Sequence, residues 1–290
     1  MKKIGIVIDE ISDLPQAIAQ ENQIEVVMAK YEWPELDAQE GENTFQKMRE
    51  LERKGIESFG KTSQPSPKDF LDAYKKQLES FDEIVCINVS SKLSGTHNSA
   101  IQAIKFLPQE EQNKIFVIDT LSASVGEGLF AIKALDLIKQ GKGAEEIAKE
   151  LNSYISQIKA FVVVKDIKWI EMAGRISSLG ANIVRKMDQA GIRPLLSFKK
   201  GLLKPAGLSA GAKDVATALF TRFQKENKIK DGRKIKVAIA HGDDSEGAQK
   251  LKEMIEKEFE TADFVIENIV GDLLGTLAGP DSLILAWYKD

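Results

Sequence analysis

The feature that most restricts the fold of this chain is the alternation of short apolar runs with longer helical patterns through its first half. Residues 4–8, Ile-Gly-Ile-Val-Ile, stop abruptly at the polar stretch 9–12, which is the pattern of a buried strand feeding a βα connection. Similar runs recur at 24–28, 84–89 and 115–118, with helical patterns at 45–53, 69–78 and 99–106 between them. Strands that alternate with helices predict a mostly parallel sheet with helices on both faces. Two further helical patterns, 125–139 and 144–158, follow in succession around the Gly141-Lys142-Gly143 break and close this first unit.

The second half has a different rhythm. A strand pattern at 161–164 is followed by helical patterns at 165–173 and 181–189 around the 174–180 loop. The runs 192–198 and 202–206 flank Lys199-Lys200-Gly201, a hairpin-like spacing. Further strands are predicted at 235–240, 264–269 and 283–287, with helices at 215–225 and 247–259. At 290 residues the chain exceeds what one hydrophobic core usually organises. The expectation is an N-terminal α/β domain, residues 1–160, with a parallel sheet, and a C-terminal α+β domain, residues 161–290, with a mixed or antiparallel one.

Several function classes are disfavoured. Hydrophobic residues at 43% and charged residues at 29% describe a folded chain rather than a disordered one. Lys and Arg total 40 against 44 Asp and Glu, for a net charge of −4 with no dense basic cluster, which argues against nucleic acid as the main partner. The single cysteine, Cys86, sits inside an apolar strand and has no partner for an intramolecular disulfide. The apolar run after Met1-Lys2-Lys3 ends at Ile8, too short for a secretory signal, and no stretch approaches the roughly 18 apolar residues of a membrane span. A cytoplasmic protein is expected. No phosphate-binding Gly-Lys-Ser/Thr loop is present, Gly126-Glu127-Gly128 lacks the third glycine of a dinucleotide fingerprint, and His97 and His241 have no zinc-site spacing. Neither a cofactor nor a metal is expected.

Three segments carry candidate binding groups. In Lys61-Thr62-Ser63-Gln64-Pro65-Ser66-Pro67, Ser66 is placed to cap a helix with Pro67 at its first position and Asp69 completing a capping box. Thr62 and Ser63 have no such duty and read as groups on a polar loop, where binding residues are often carried. The segment Ser90-Ser91-Lys92-Leu93-Ser94-Gly95-Thr96 leads from the C-terminal end of a strand into a helix. There free N–H groups and the helix dipole favour an anion, which makes Ser94, Gly95 and Thr96 candidates, with capping as the alternative role. Gly174-Arg175-Ile176-Ser177 offers Arg175 as a cation for an anion at the domain interface. Ser94 with His97 three residues later also admits a serine hydrolase or acyl transferase, although no Gly-x-Ser-x-Gly elbow is present.

Taken together, Asp9 after an Ile-Val-Ile start, Thr62-Ser63-Gln64-Pro65-Ser66, Ser90 to Thr96, Ile118-Asp119-Thr120 and Gly174-Arg175-Ile176 follow the order and spacing of the DegV family, which the chain resembles over nearly its whole length. The resemblance implies a parallel N-terminal domain, a C-terminal domain with a mostly antiparallel sheet, and one long-chain fatty acid between them. It further implies a carrier rather than an enzyme, with a separate fatty acid kinase phosphorylating the bound carboxylate. By similarity Thr62 and Ser94 bond the carboxylate, Ser63, Gly95 and Thr96 shape its pocket, and Arg175 adds charge nearby. One departure stands out: where the family usually reads Gly-Ala-His-Thr-Gly-Pro-Gly, this chain reads Gly275-Thr276-Leu277-Ala278-Gly279-Pro280-Asp281. Burying roughly 14 methylenes at about 0.8 kcal/mol each contributes on the order of 11 kcal/mol before ordering costs. A lost charge-assisted hydrogen bond removes about 1.5 to 3 kcal/mol, so Leu277 weakens but does not abolish retention of a lipid. A changed ligand, as in a small-anion sensor, is the other reading of that departure.

Overall fold

The computed structural model describes residues 2–190, 193–209, 214–228 and 232–290. The first half contributes β1 (Ile4–Asp9), β2 (Glu25–Val27), β3 (Lys30–Glu32), β4 (Lys61–Ser63), β5 (Glu83–Asn88) and β6 (Ile115–Asp119). Four of them form a sheet in the order β2-β1-β5-β6, and every pairing in it is parallel. Helices cover both faces, so the strands are nearly continuous apolar runs. Ile6, Ile8, Val85 and Ile87 face a core shared with the helix Val125–Lys139. The alternate residues Val7, Ile84 and Cys86 face Phe70, Tyr74 and Ala100, as the two-residue period of a strand requires.

The second half supplies β7 (Lys159–Val163), β8 (Arg193–Lys199), β9 (Leu202–Ser209), β10 (Ile235–His241), β11 (Ala262–Ile269) and β12 (Leu283–Lys289). These pair in the order β11-β10-β12-β7-β8-β9. β10 and β11 run parallel and the other pairings are antiparallel, giving the mostly antiparallel second domain that the hairpin and successive strands predicted. Position 192, the start of the run 192–198, lies outside the described residues.

The β8–β9 hairpin pairs Lys199 with Leu202 and closes through Lys200 and Gly201, both with positive φ (52° and 79°). That is the two-residue turn whose twist suits adjacent strands. A Cβ on Gly201 would meet Ser90 Oγ at 2.5 Å, and the Ser90 hydroxyl donates to the Gly201 carbonyl at 2.8 Å. The hairpin tip is thereby pinned to the loop after β5.

The helix Val125–Lys139 lies between the two sheets, against β1 and β5 on one side and β7, β10 and β12 on the other. This is why its first turns, Val125 to Ala131, are buried all round. Polar contacts tie the halves elsewhere: Arg49 donates to Asp243 at 2.5 Å and to Asp281 at 2.6 Å, and the Thr44 hydroxyl donates to Asp272 at 2.7 Å. Beside them the buried rings of Trp33 and Trp169 lie 5.8 Å apart. Trp287 belongs to a separate core, stacked on Phe161 and edge-on to Phe223.

Some features depart from the sequence reading. Thr62 and Ser63 belong to a strand, because β4 pairs antiparallel with β3 as a two-stranded sheet, and three residues are too few to display an alternation. The helix Asp272–Ala278 has no side-chain cap and carries Gly275, so nothing local announces it. No helix among the described residues is long and apolar enough to cross a membrane.

Candidate ligand-binding site

β1 sits between β2 and β5, so the chain leaves it in one direction and returns on the other side. The crevice beyond the C-terminal ends of β1 and β5 is therefore the topological switch point where open α/β sheets bind ligands. A two-lobed cavity opens there. Its polar lobe is lined by Thr62, Ser63 and Gln64 from β4 and the residue after it, by Ser94 and Thr96 after β5, by Asp9 and Glu10 at the end of β1, and by Arg175. Its apolar lobe is lined by Val162, Ile170, Phe198, Leu203 and Ile284. Leu93, Ala123, Arg175, Leu274 and Leu277 line both lobes, which therefore lie side by side.

Local bonds explain how the polar groups are held. Thr62 is half-buried opposite Tyr31 in the β3–β4 pair, and Ser63 and Gln64 next to it are exposed at the mouth. Ser66 caps the helix Pro67–Leu78 in the expected box, accepting from the Asp69 N–H at 3.3 Å while Asp69 accepts from the Ser66 N–H at 2.7 Å. Ser94 Oγ lies 2.8 Å from Thr96 Oγ1 and accepts from the Thr96 N–H at 3.3 Å. The Ser94 hydroxyl thus closes a local turn before the helix, which has no side-chain cap, and lines the lobe as well.

Gly95 departs from its expected part, because it is not among the residues lining either lobe. It is the N-cap of the helix Thr96–Ile104, and a Cβ there would fall 2.0 Å from Gln64 Oε1. Its contribution is the space that lets Gln64 cross to Ser99 Oγ, 3.2 Å away. Arg175 lines both lobes, half-buried, with its guanidinium donating to the Ala173 carbonyl. His97 lines neither lobe. Burial lowers its pKa, its Nδ1 is buried without a partner, and among the described residues it makes no hydrogen bond to Ser94, whose hydroxyl is engaged with Thr96. The serine–histidine pairing that a hydrolase needs is not assembled.

Beneath the polar lobe lies a set of buried acids that spacing alone did not single out as a group. Asp9 accepts from the Val89 N–H at 2.9 Å and the Ile11 N–H at 3.2 Å, yet burial still pushes its pKa up to about 6. Asp13 accepts from Ser124 Oγ–H and from the Gly271 N–H at 2.8 Å, and burial pushes it up to about 7. Glu127 is fully buried with no donor to its oxygens. Burial first, then the charges of Asp9 and Asp13, raise its pKa well above the carboxylate range. A protonated Glu127 can donate to Asp9, which two ionised carboxylates cannot do. Glu10, raised by burial, accepts from the Ala29 N–H and lines the polar lobe itself. The signal that would have found Asp9 and Glu10 is their place at the end of a central strand next to the switch point. Leu273, Leu274 and Leu277 come from the unannounced helix Asp272–Ala278.

The comparisons with known proteins agree with one another. A family model described as "Uncharacterised protein, DegV family" matches residues 3–290. A fatty acid-binding protein of Thermotoga maritima is 29% identical over 288 residues, covering 97% of this chain and 96% of its own. A DegV domain-containing protein of Clostridium acetobutylicum is 31% identical, covering 96% of this chain and 97% of its own. Among solved structures, one described as fatty acid binding of a DegV family protein from Thermus thermophilus superposes with a TM-score of 0.82 at 26% identity, covering 99% of this chain and 100% of that one. With a family model spanning nearly every residue and a relative above 30% identity over the same span, the chain belongs to the DegV family.

Proposed function

We propose that the protein is a carrier for a long-chain fatty acid, which it holds with the carboxylate in the polar lobe and the acyl chain in the apolar lobe, without chemistry of its own. The observation that carries this reading is that a lobe bearing the hydroxyls of Thr62, Ser63, Ser94 and Thr96 adjoins an apolar one, with Leu93, Ala123, Arg175, Leu274 and Leu277 common to both. An amphiphile with one anionic end matches that arrangement, and a uniformly polar ligand does not. The Thermotoga maritima relative named a fatty acid-binding protein and the Thermus thermophilus structure described by fatty acid binding support the same ligand class.

In this reading the hydroxyls of Thr62 and Ser94 bond the carboxylate, Ser63 and Thr96 flank it, Gly95 acts through Gln64, and Arg175 supplies the neighbouring charge. Residues 1–160 bring most of the carboxylate-binding groups and residues 161–290 cover the chain. Exposed Ser63 and Gln64 at the mouth leave the carboxylate end reachable for a separate fatty acid kinase in the cytoplasm. Mass spectrometry of lipid released by denaturation tests the assignment: the double variant Thr62→Ala with Ser94→Ala folds but is purified without stoichiometric fatty acid. Undiminished lipid in that variant would sink the proposed carboxylate site.

A further inference from the structure

The apolar lobe stops at the ring of Phe198, and a second space begins on the other side of it. This outer cavity, about 410 Å³, and the apolar lobe have Phe198 as their one common residue among the described lining residues. Two stretches of the polypeptide border both spaces. Along β7, Ala160 lines the outer cavity, while Val162, two residues on and on the same face of the strand, lines the apolar lobe. In the loop after β6, Ser122 lines the outer cavity and the next residue, Ala123, the lobe. Phe198 thus stands where the two spaces meet, with β7 and the loop after β6 running along both.

The ring is held from both sides. Phe198 packs against the main core and also against the small cluster that includes Leu93 and Ala123. Its backbone pairs with Leu203 in the hairpin, whose tip is fixed by the Ser90–Gly201 hydrogen bond. The outer cavity has apolar surface from Phe130, Ile158 and Phe161 and charged groups from Lys159, Lys200, Arg222 and Glu226.

We propose that Phe198 is the end-stop of the acyl-chain site and sets the longest chain accepted, an inference that rests on the fatty acid reading above. A chain whose terminal methyl reaches the ring buries all its methylenes. One that is longer must displace a packed aromatic side chain or leave carbons outside the site. Removal of the ring joins the lobe to the outer cavity, and each additional methylene then buried strengthens binding by about fourfold. A larger ring at the same place shortens the lobe.

The test compares wild type, Phe198→Ala and Phe198→Trp by mass spectrometry of the copurified lipid and by competition with saturated fatty acids of twelve to twenty carbons. The expected result is that Phe198→Ala shifts the preferred chain upward by two carbons or more and binds the longest acids about tenfold more tightly than wild type does. Phe198→Trp shifts the preference downward. Identical chain-length profiles in the three proteins, with fatty acid bound in each, overturn the end-stop and leave the fatty acid site standing. Failure of wild type to bind any acid in the series overturns the underlying reading instead. If Phe198→Ala does not fold, Phe198→Leu, which keeps an apolar side chain while removing the ring, carries the same comparison with the same expected direction.

Discussion

The two lobes of the cavity are made from different kinds of chain. The polar lobe draws its main groups from short segments at the ends of β1, β4 and β5, where each hydroxyl has neighbours close in sequence: Ser94 with Thr96, and Thr62 beside the capped helix that Ser66 begins. The apolar lobe draws Val162, Ile170, Phe198, Leu203 and Ile284 from segments far apart in sequence, and each of them is also an ordinary packing residue. On the proposed reading, recognition of the anionic end is a local property that a few residues can confer. The length and shape of the chain site belong to tertiary structure, so that relatives with the same polar segments are free to differ in the lipid they accept.

Substitutions at the junction of the lobes and away from it test this division, and the largest effect is expected at the junction. Leu274→Asp would place a carboxylate where both lobes meet, and an unpaired buried charge costs at least ~3 kcal/mol. Titration calorimetry should register a loss of fatty acid affinity of more than a hundredfold, with circular dichroism checking that the fold persists; near-normal affinity would mean that the acyl chain lies elsewhere.

The buried acids give the next effect, in stability rather than binding. Asp13 is held at about 7, above the ~3.9 of an exposed aspartate. An acid whose pKa is raised by folding favours the folded state below its unfolded pKa, and that contribution is lost as pH rises through the folded value. Between pH 5 and pH 8 the loss is on the order of 3 kcal/mol. Asp13→Asn is spared it, so the variant should gain on wild type in urea-unfolding free energy as pH rises; parallel pH profiles for the two proteins would refute the buried-acid account.

Leu277→His restores a donor where this chain has an apolar side chain lining both lobes. The expected gain is about 1.5 to 3 kcal/mol for a carboxylate ligand, or roughly ten- to a hundredfold, with no gain for the corresponding fatty alcohol. Equal changes for acid and alcohol would show that the carboxylate is not near residue 277. The smallest effect belongs to the cap: Ser66→Ala should lower stability by about 1 kcal/mol in thermal unfolding while the copurified lipid remains unchanged.

The same division explains what could be read from the sequence. The helix Val125–Lys139 and the runs of β1, β5 and β6 were legible because an uninterrupted apolar pattern bounded by polar residues has few other readings. The β8–β9 turn was legible because Lys200-Gly201 has turn chemistry, and Ser66 because a capping box has a fixed spacing. Thr62 could be singled out as a polar group lacking another structural duty, Ser94 by its place between a strand end and a helix, and Arg175 as a cation on a loop. Phe198, Leu203 and Leu274 could not, since ligand-lining and core positions use the same alphabet. Gly95 shows a related limit: a glycine records that space is needed, and only the fold shows that Gln64 needs it. Glu127 stood out merely as part of an incomplete glycine motif, because its proximity to Asp9 and Asp13 arises from packing the helix Val125–Lys139 between two sheets.

The paired indoles at the seam give the molecule an optical gauge of its own. Trp169 sits in the helix Lys168–Met172, which leads directly into the segment bearing Arg175, and its partner Trp33 is anchored in the first half. Chromophores 5.8 Å apart couple their excited states, so the near-ultraviolet dichroism and emission of this pair register small displacements of that segment. Trp287, enclosed in a different core, supplies a reference signal within the same chain. On the proposed reading, the binding and release of a fatty acid can then be followed in real time with no label attached.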